Sequence, residues 1–252
     1  MPDLNNWMMA FLRVSAMLAV FPVFSARNFP VQLRLALGVL MAALVGPTLP
    51  ASTPPADFWG LVGLMSIEVG AGLMFGFASW MIFFALDMAG GIIGTEIGLS
   101  LPPSMNPMNE TQVTAPGAIL YYLAAMIWLS LDMHHWMLIG FQKTYTYLPV
   151  GGAHLSEALA ADFIGRTSQT FLIALQLAAP IMAVSFIISL VFAVLGRAVP
   201  QMNVFTESFT IRTLVGLSVF GLTMQLMSQH IINYLHHLPD DLLRVARLLG
   251  AR

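Results

Sequence analysis

The sequence predicts an all-α protein of the polytopic membrane type, in which helical hairpins pack in one unit. Only 9% of its 252 residues are charged and 58% are hydrophobic, whereas a soluble domain carries roughly 25% charged residues. The mean hydropathy is +0.81. Two long stretches, 167–196 and 213–239, contain no Asp, Glu, Lys or Arg. Because about 20 apolar residues suffice to cross the hydrocarbon layer as a helix, each stretch can form a span.

Six apolar stretches are predicted as helices. In chain order they are 7–24, 31–49, 58–86, 117–142, 171–195 and 213–235. The first lacks the basic start of a signal peptide and is interrupted by Arg13, so we expect a retained helix. The third is too long for one perpendicular span, so it either tilts or continues through "DMAGGIIGTEIG" (87–98) as a bent helix.

Arginines flank two of the connections between these helices. Arg27 and Arg34 lie at the first connection, and Arg197 and Arg212 lie at the fifth. If four spans separate them, the positive-inside rule puts both connections on the cytoplasmic side. The arginines of the C-terminal tail then fall on the opposite side, so either a span is miscounted or the tail is an exception.

Small residues recur at helical spacing on two segments, which predicts helix-packing faces. The residues of these faces are Gly72, Gly76, Asp87, Gly90, Gly94 and Gly98. Small residues four positions apart let two helix backbones approach closely in membranes. Both packing within the chain and contact with neighbouring subunits fit this pattern.

Five charged residues lie within or beside the apolar helices: Arg13, Glu68, Asp87, Glu96 and Asp132. Such residues usually face protein or water, because a charge in hydrocarbon is costly. They could form a proton or ion pathway, or be buried at interfaces and helix ends. Their scatter along the chain favours burial.

No catalytic, cofactor-binding or metal-binding residues are predicted. The chain has no cysteine, no His-Glu-x-x-His and no Gly-x-Ser-x-Gly, and its net charge of −2 gives no reason to expect a nucleic-acid partner. Asp132, His134 and His135 suggest a metal site at first sight. Adjacent histidines point about 100° apart on a continuous helix, however, so we expect no metal there.

Several segments together resemble the FliR/SctT family, the export-gate subunits of flagellar and virulence type III secretion systems. The most specific are "RAVPQMNVF" (197–205) and "FTIRTLVGL" (209–217). Others are "FPVFSARNFPVQLRLALGVLMA" (21–42), "EVGAGLMFGF" (68–77), "AGGIIGTEIGLS" (89–100) and "YLPVGG" (147–152). The resemblance covers nearly the whole chain in order. One departure is Asn106-Pro107, where many members carry Asp-Pro.

The resemblance implies a non-enzymatic subunit of a helical multi-subunit export gate in the bacterial inner membrane, partly above the membrane plane. It lies within a flagellar basal body or an injectisome base. Its implied partners are FliP/SctR-type, FliQ/SctS-type, FlhB/SctU-type and FlhA/SctV-type proteins, unfolded export substrates and membrane lipid. Residues 1–165 would correspond to a FliP-like part and residues 166–252 to a FliQ-like hairpin and tail. "PVFSARNFP" and "PVGG" favour the flagellar system, and the injectisome remains the alternative.

Two polar segments are predicted to have functional roles by this resemblance. The first is a channel plug in the proline-containing segment 102–117, with candidate residues Met105, Asn106, Met108, Asn109, Glu110 and Gln112. The second is a cytoplasmic loop for partner contact or substrate entry, with candidate residues Arg197, Pro200, Gln201, Asn203, Phe205, Glu207 and Arg212. A plain connector and a plain solvated loop are the respective alternatives.

Two other classes of function are weaker. A small-solute transporter needs an intramembrane site, usually at a broken helix, and Pro180 is the only strong breaker inside a predicted helix. An intramembrane enzyme would need one of the missing catalytic motifs.

Overall fold

The computed structural model describes residues 2–25, 29–50, 55, 57–99, 114–201 and 203–251. Within these ranges the chain is helical and has no strand, which confirms the predicted fold class. The α-helices are α1 (Pro2–Val20), α2 (Pro22–Ser25), α3 (Val31–Val45), α4 (Phe58–Glu96), α5 (Ala115–Ser130), α6 (Met133–Tyr147), α7 (Glu157–Ala198), α8 (Val204–His236) and α9 (Leu238–Gly250). A short 3₁₀ turn, Gly46–Thr48, follows α3.

Prolines account for several of the helix boundaries. Pro22 is the first residue of α2, and Pro47 lies in the turn that ends α3. Pro239 lies in the first turn of α9. Proline suits the first turn of a helix because its missing N–H has no intrahelical partner there, whereas within a helix it removes a hydrogen bond.

The two longest helices run further than the sequence pattern predicts. The continuation of the third predicted helix through 87–98 is confirmed as far as Glu96, so α4 has 39 residues. The predicted helix 171–195 is only the apolar part of α7, which has 42 residues and continues through Pro180. Pro180, the only strong breaker inside a predicted helix, therefore does not end α7, since one lost backbone hydrogen bond does not interrupt a helix of this length.

The break occurs instead inside the predicted helix 117–142. The chain turns by 74° between α5 and α6. Asp132 has a left-handed conformation with φ 53°, and its carbonyl accepts a hydrogen bond from the backbone N–H of His135 at 2.9 Å. Asp is one of the few residues that adopt this conformation readily, which allows a sharp turn without glycine.

Contacts between residues divide the chain into two compact units, whereas the sequence predicts one. The first comprises residues 1–82, 128–167 and 234–252, and the second comprises 83–127 and 168–233. In the first unit α1 packs on α3, and α6 packs on α9. The long helices α4, α7 and α8 each contribute to both units, so the boundaries between the units fall inside these helices. No change in sequence composition marks these boundaries.

Four helical segments of the described chain are long and apolar enough to cross a membrane: Val31–Thr48, Phe58–Glu96, Glu157–Ala198 and Thr206–Gly250. The bent pair α5 and α6 makes a fifth if it counts as one span. The first predicted segment, 7–24, is not among these candidate spans, because its apolar helix, Leu4–Val20, is too short.

Candidate functional site: a buried ion pair and two polar segments

A fully buried ion pair lies at the centre of the first unit. Arg13 of α1 and Glu68 of α4 both have side chains that are 0% exposed. Arg13 Nε donates to Glu68 Oε2 at 2.6 Å, and Arg13 Nη2 donates to Glu68 Oε1 at 2.9 Å. Two parallel hydrogen bonds between a guanidinium and a carboxylate form the strongest geometry for such a pair. Two of the five charges that lie within or beside the apolar helices are therefore partners, although 55 positions separate them.

The segment after α6 completes the hydrogen bonding of this pair. Arg13 Nη1 donates to the carbonyl oxygen of Leu148 at 3.0 Å. The backbone N–H of Gly151 donates to Glu68 Oε1 at 2.8 Å. Gly151 has φ +75°, a conformation that other residues rarely adopt, so a glycine here presents its N–H to the carboxylate without strain. The "YLPVGG" segment thus has a local role that its sequence alone does not reveal.

An aromatic ring covers one face of the Arg13 guanidinium. The Arg13 Cζ atom lies 4.0 Å from the centroid of the Tyr145 ring of α6. A cation over an aromatic face is stabilised by the ring quadrupole, and more strongly when water is excluded. α1, α4, α6 and the 148–151 segment all meet at this one charged group, so the pair fixes their mutual positions.

Glycines on α4 allow α1 to approach the ion pair closely. A Cβ atom at Gly72 would clash with the backbone carbonyl of Arg13, and one at Gly76 would lie 2.7 Å from the carbonyl oxygen of Met17. Only glycine leaves room for the two backbones at this distance. These two members of the predicted packing face therefore contact another helix of the same chain.

The other predicted face lies in the second unit and is less regular than predicted. A Cβ atom at Gly90 would clash with Gly117 of α5, and Asp87 lies beside the same glycine but is exposed. Gly94 is buried. Gly98 lies beyond the end of α4 with φ +76°, against the Phe209 ring. The predicted helical run from Gly90 to Gly98 is therefore wrong at its last member, because the helix has already ended.

The polar segment 196–212 is mostly helical. Only residues 199–203 connect α7 to α8, so the predicted loop is shorter than expected. Arg197 lies in the last turn of α7 and Glu207 in the first turn of α8, and both are exposed. Arg212 Nη2 donates to Ser189 Oγ at 2.8 Å across the hairpin. The backbone carbonyls at the end of a helix have no hydrogen-bond partner within the helix, so polar residues in this segment suit the two helix ends.

The remaining candidate residues of the predicted loop 196–212 lie at the connection between α7 and α8. Pro200, Gln201 and Asn203 are exposed, and Asn203 Oδ1 accepts a 3.4 Å hydrogen bond from the N–H of Thr206 at the start of α8. Phe205 lies in the first turn of α8. The predicted plug residues Met105, Asn106, Met108, Asn109, Glu110 and Gln112 all lie outside the described residues.

The break between α5 and α6 brings Asp132, His134 and His135 together. Their ligating atoms lie within 4.8 Å of one another. The expectation that adjacent histidines point too far apart is therefore wrong here: the rings of His134 and His135, both in α6, have centroids 4.1 Å apart, and the break before α6 places Asp132 beside them. The side chains of Asp132 and His135 are 71% and 64% exposed, however, so the three groups form no enclosed site and we assign no metal to them.

A second ionic network, which the sequence pattern did not reveal, attaches α9 to α7. Arg166 donates to Asp162 at 2.6 Å and contacts Asp241 at 2.7 Å, while Arg244 contacts Asp162 at 2.7 Å. The buried face of α9 carries Leu238, Leu242, Val245, Ala246 and Leu249. Its apolar residues recur at the spacing of an amphipathic helix, so this periodicity is the signal that could have predicted α9.

Known proteins resemble this chain over nearly its whole length. The sequence profile of bacterial export proteins, family 1, matches residues 4–238. The flagellar biosynthetic protein FliR of Caulobacter vibrioides is 30% identical over 218 residues, which cover 86% of this chain and 87% of that protein. The FliR proteins of Escherichia coli (strain K12) and Bacillus subtilis are both 27% identical, over 95% and 88% of this chain and 93% and 86% of those proteins. The chain therefore belongs to family 1 of the bacterial export proteins, the FliR/SctT family.

Proposed function

We propose that this chain is the FliR-type core subunit of a flagellar type III export gate. In this proposal it forms the entry channel for unfolded export substrates across the inner membrane, together with FliP-type and FliQ-type subunits. The observation that carries it is the match along the chain, because the family profile extends over residues 4–238. The relatives reported above are all flagellar proteins, which favours the flagellar system over an injectisome.

The long hairpin of α7 and α8 supports a role inside a larger assembly. Within the most apolar 18-residue windows of their segments, only 22% and 11% of the residues are buried by the rest of the chain. On α7, Phe186, Leu190 and Val194 are spaced by four and exposed by 63%, 51% and 68%. Such a stripe requires either lipid or other apolar helices against it. FliP-type and FliQ-type subunits are the proposed cover.

Helix length supports a position partly above the membrane plane. At 1.5 Å per residue, α4 and α7 are roughly 58 Å and 63 Å long, about twice the 30 Å of the hydrocarbon core. In this proposal FlhB-type and FlhA-type proteins and substrates contact the cytoplasmic side, and lipid surrounds the spanning part. The correspondence of residues 1–165 to FliP and of 166–252 to FliQ rests on the family resemblance alone.

A structural, non-catalytic role is the one consistent with family membership. The buried charges found in the first unit are paired with each other and with backbone groups, as a structural ion pair requires. In this proposal the channel transports chains without altering them.

Assembly with partner subunits tests this function directly. Co-expressed with FliP-type and FliQ-type subunits from the same genome, the chain is expected to purify as a detergent-stable complex. Expressed alone, it is expected to aggregate or be degraded, because the exposed stripes of α7 and α8 then have no protein cover. Size-exclusion chromatography with mass determination measures the outcome. A monodisperse, stable monomer obtained without these subunits contradicts the proposal.

The hairpin tip between α7 and α8 is proposed to contact a partner or the entering substrate. Arg197→Glu is expected to reduce secretion several-fold while the complex still assembles, because Arg197 is exposed at the end of α7 and Glu reverses its charge. Secreted flagellar protein in the culture medium and complex recovered from membranes are measured in parallel. Lys143→Glu, the same charge change at an exposed residue of α6, is the control. Equal secretion by the two variants refutes the role of the tip.

A further inference from the structure

An apolar pocket opens on the surface of the first unit, between α3 and the break that joins α5 to α6. Its volume is about 250 Å³. Its deep wall consists of buried residues of which Trp128 and Phe21 are the largest, and its rim carries Leu40 and Leu44, which are exposed by 57% and 65%. A cavity of roughly 150 Å³ accepts benzene, so this one accommodates a longer apolar segment.

Two buried polar atoms belong to residues that line this pocket and have no hydrogen-bond partner among the described residues. They are the indole Nε1–H of Trp128, whose residue is 1% exposed, and Nδ1 of His134. A buried indole N–H normally finds an acceptor, and leaving one unpaired costs about 1–3 kcal/mol. The pocket therefore favours an occupant that is apolar along most of its length and has a hydrogen-bond acceptor at one end.

The position of the rim indicates which surroundings of the protein supply this occupant. Leu40 and Leu44 lie on the candidate span Val31–Thr48, and only 28% of that span is buried within the chain. The pocket therefore opens towards whatever surrounds a membrane helix. A leucine or phenylalanine of a neighbouring helix would fill part of the volume, but it would offer no acceptor, because backbone carbonyls within a helix are already bonded.

We propose that the pocket binds one acyl chain of a membrane phospholipid. The hydrocarbon chain lies between α3, α5 and α6, and its ester carbonyl accepts the hydrogen bond of Trp128 Nε1–H. His134 Nδ1 provides a second polar contact for the same glycerol ester region. The methionines of the wall suit a flexible chain, since their unbranched side chains adapt to irregular shapes.

Photolabelling of the full chain, co-expressed with FliP-type and FliQ-type subunits, tests this site. Membrane vesicles that contain the chain are fused with phosphatidylethanolamine and phosphatidylglycerol vesicles that contain a phospholipid with a diazirine near the end of one acyl chain. After irradiation, label is expected to concentrate in the peptides around 37–44 and 128–138. Label spread evenly over all apolar helices, or a cross-link that joins this pocket to another subunit, overturns the proposal.

Three variants distinguish a specific site from a lipid-facing surface. Trp128→Phe keeps the ring but removes the N–H, so lipid retained after purification is expected to fall by about threefold to tenfold, as native mass spectrometry measures it. Leu37→Trp narrows the pocket and is expected to abolish labelling there. Leu35→Trp, the same change at an exposed residue of α3 that does not line the pocket, is the matched control. Unchanged labelling and lipid retention in both pocket variants rule out a bound acyl chain.

Discussion

Glu68→Gln is expected to destabilise the protein by about 3–5 kcal/mol, the usual cost of removing one partner of a buried ion pair. The substitution preserves the shape of the side chain and an oxygen that can accept from Gly151 N–H. It leaves the Arg13 guanidinium 0% exposed with no counterion. Loss of this one charge is therefore expected to lower both the amount of chain in membranes and its thermal midpoint in detergent.

Two further variants separate the charge from the packing. Arg13→Met combined with Glu68→Leu removes both charges, and we expect it to be more stable than Glu68→Gln, because apolar replacement of a buried pair is often close to neutral. The double variant is still expected to be less stable than the unmodified protein, since the Leu148 carbonyl and the Gly151 N–H lose their hydrogen-bond partners. Glu157→Gln changes an exposed carboxylate at the start of α7 and is the control. A thermal midpoint for Glu68→Gln equal to that of the control contradicts a stabilising role for the pair.

Deletion of residues 104–113 is expected to make the assembled channel permeable to ions and small solutes even without an export substrate. This segment contains the proposed plug residues, and a pore wide enough for an unfolded chain leaks unless something fills it. Thr114 is retained because its Oγ1 accepts the N–H of Gly117 at 3.2 Å and so caps the start of α5. Conductance of the reconstituted complex in a planar bilayer measures the leak.

A second variant separates the identity of these residues from the length of the connection. Replacement of 104–113 by a glycine-serine segment of equal length keeps α4 and α5 joined as before. It is also expected to leak, because the soft side chains of Met105 and Met108 are then missing. An assembled deletion variant as impermeable as the unmodified complex refutes the plug and leaves the segment a connector.

Much of the architecture was predictable because it depends on local composition. Low charge and long apolar runs identify membrane-type helices wherever they occur, so α3, α4, α7 and α8 were all anticipated, although their ends were misplaced. Apolar runs mark only the part of a helix that avoids water. The polar first turns of α7 and α8 were therefore missed, and the predicted loop 196–212 was too long.

Other features escaped because a single backbone angle or an unexpected pairing determines them. Nothing in the apolar run 117–142 reveals that Asp132 adopts φ 53° and splits it into two helices. That break brings His134 next to Trp128, and the pocket depends on it. The six apolar stretches do not include α9, because its mixed, amphipathic composition differs from the uniformly apolar runs that predict the other helices.

The sequence by itself determined the fold class and the family to which the chain belongs, because these depend on composition and on short motifs in a given order. Only the tertiary structure decided which charges are partners. Arg13 and Glu68 were two of five scattered charges, and their pairing depends on glycines at 72 and 76 that let α1 approach α4, and on a turn at Gly151. The physical reason is that the free energy of a buried charge is set by neighbours that are distant in sequence, and only packing brings these neighbours within hydrogen-bonding distance.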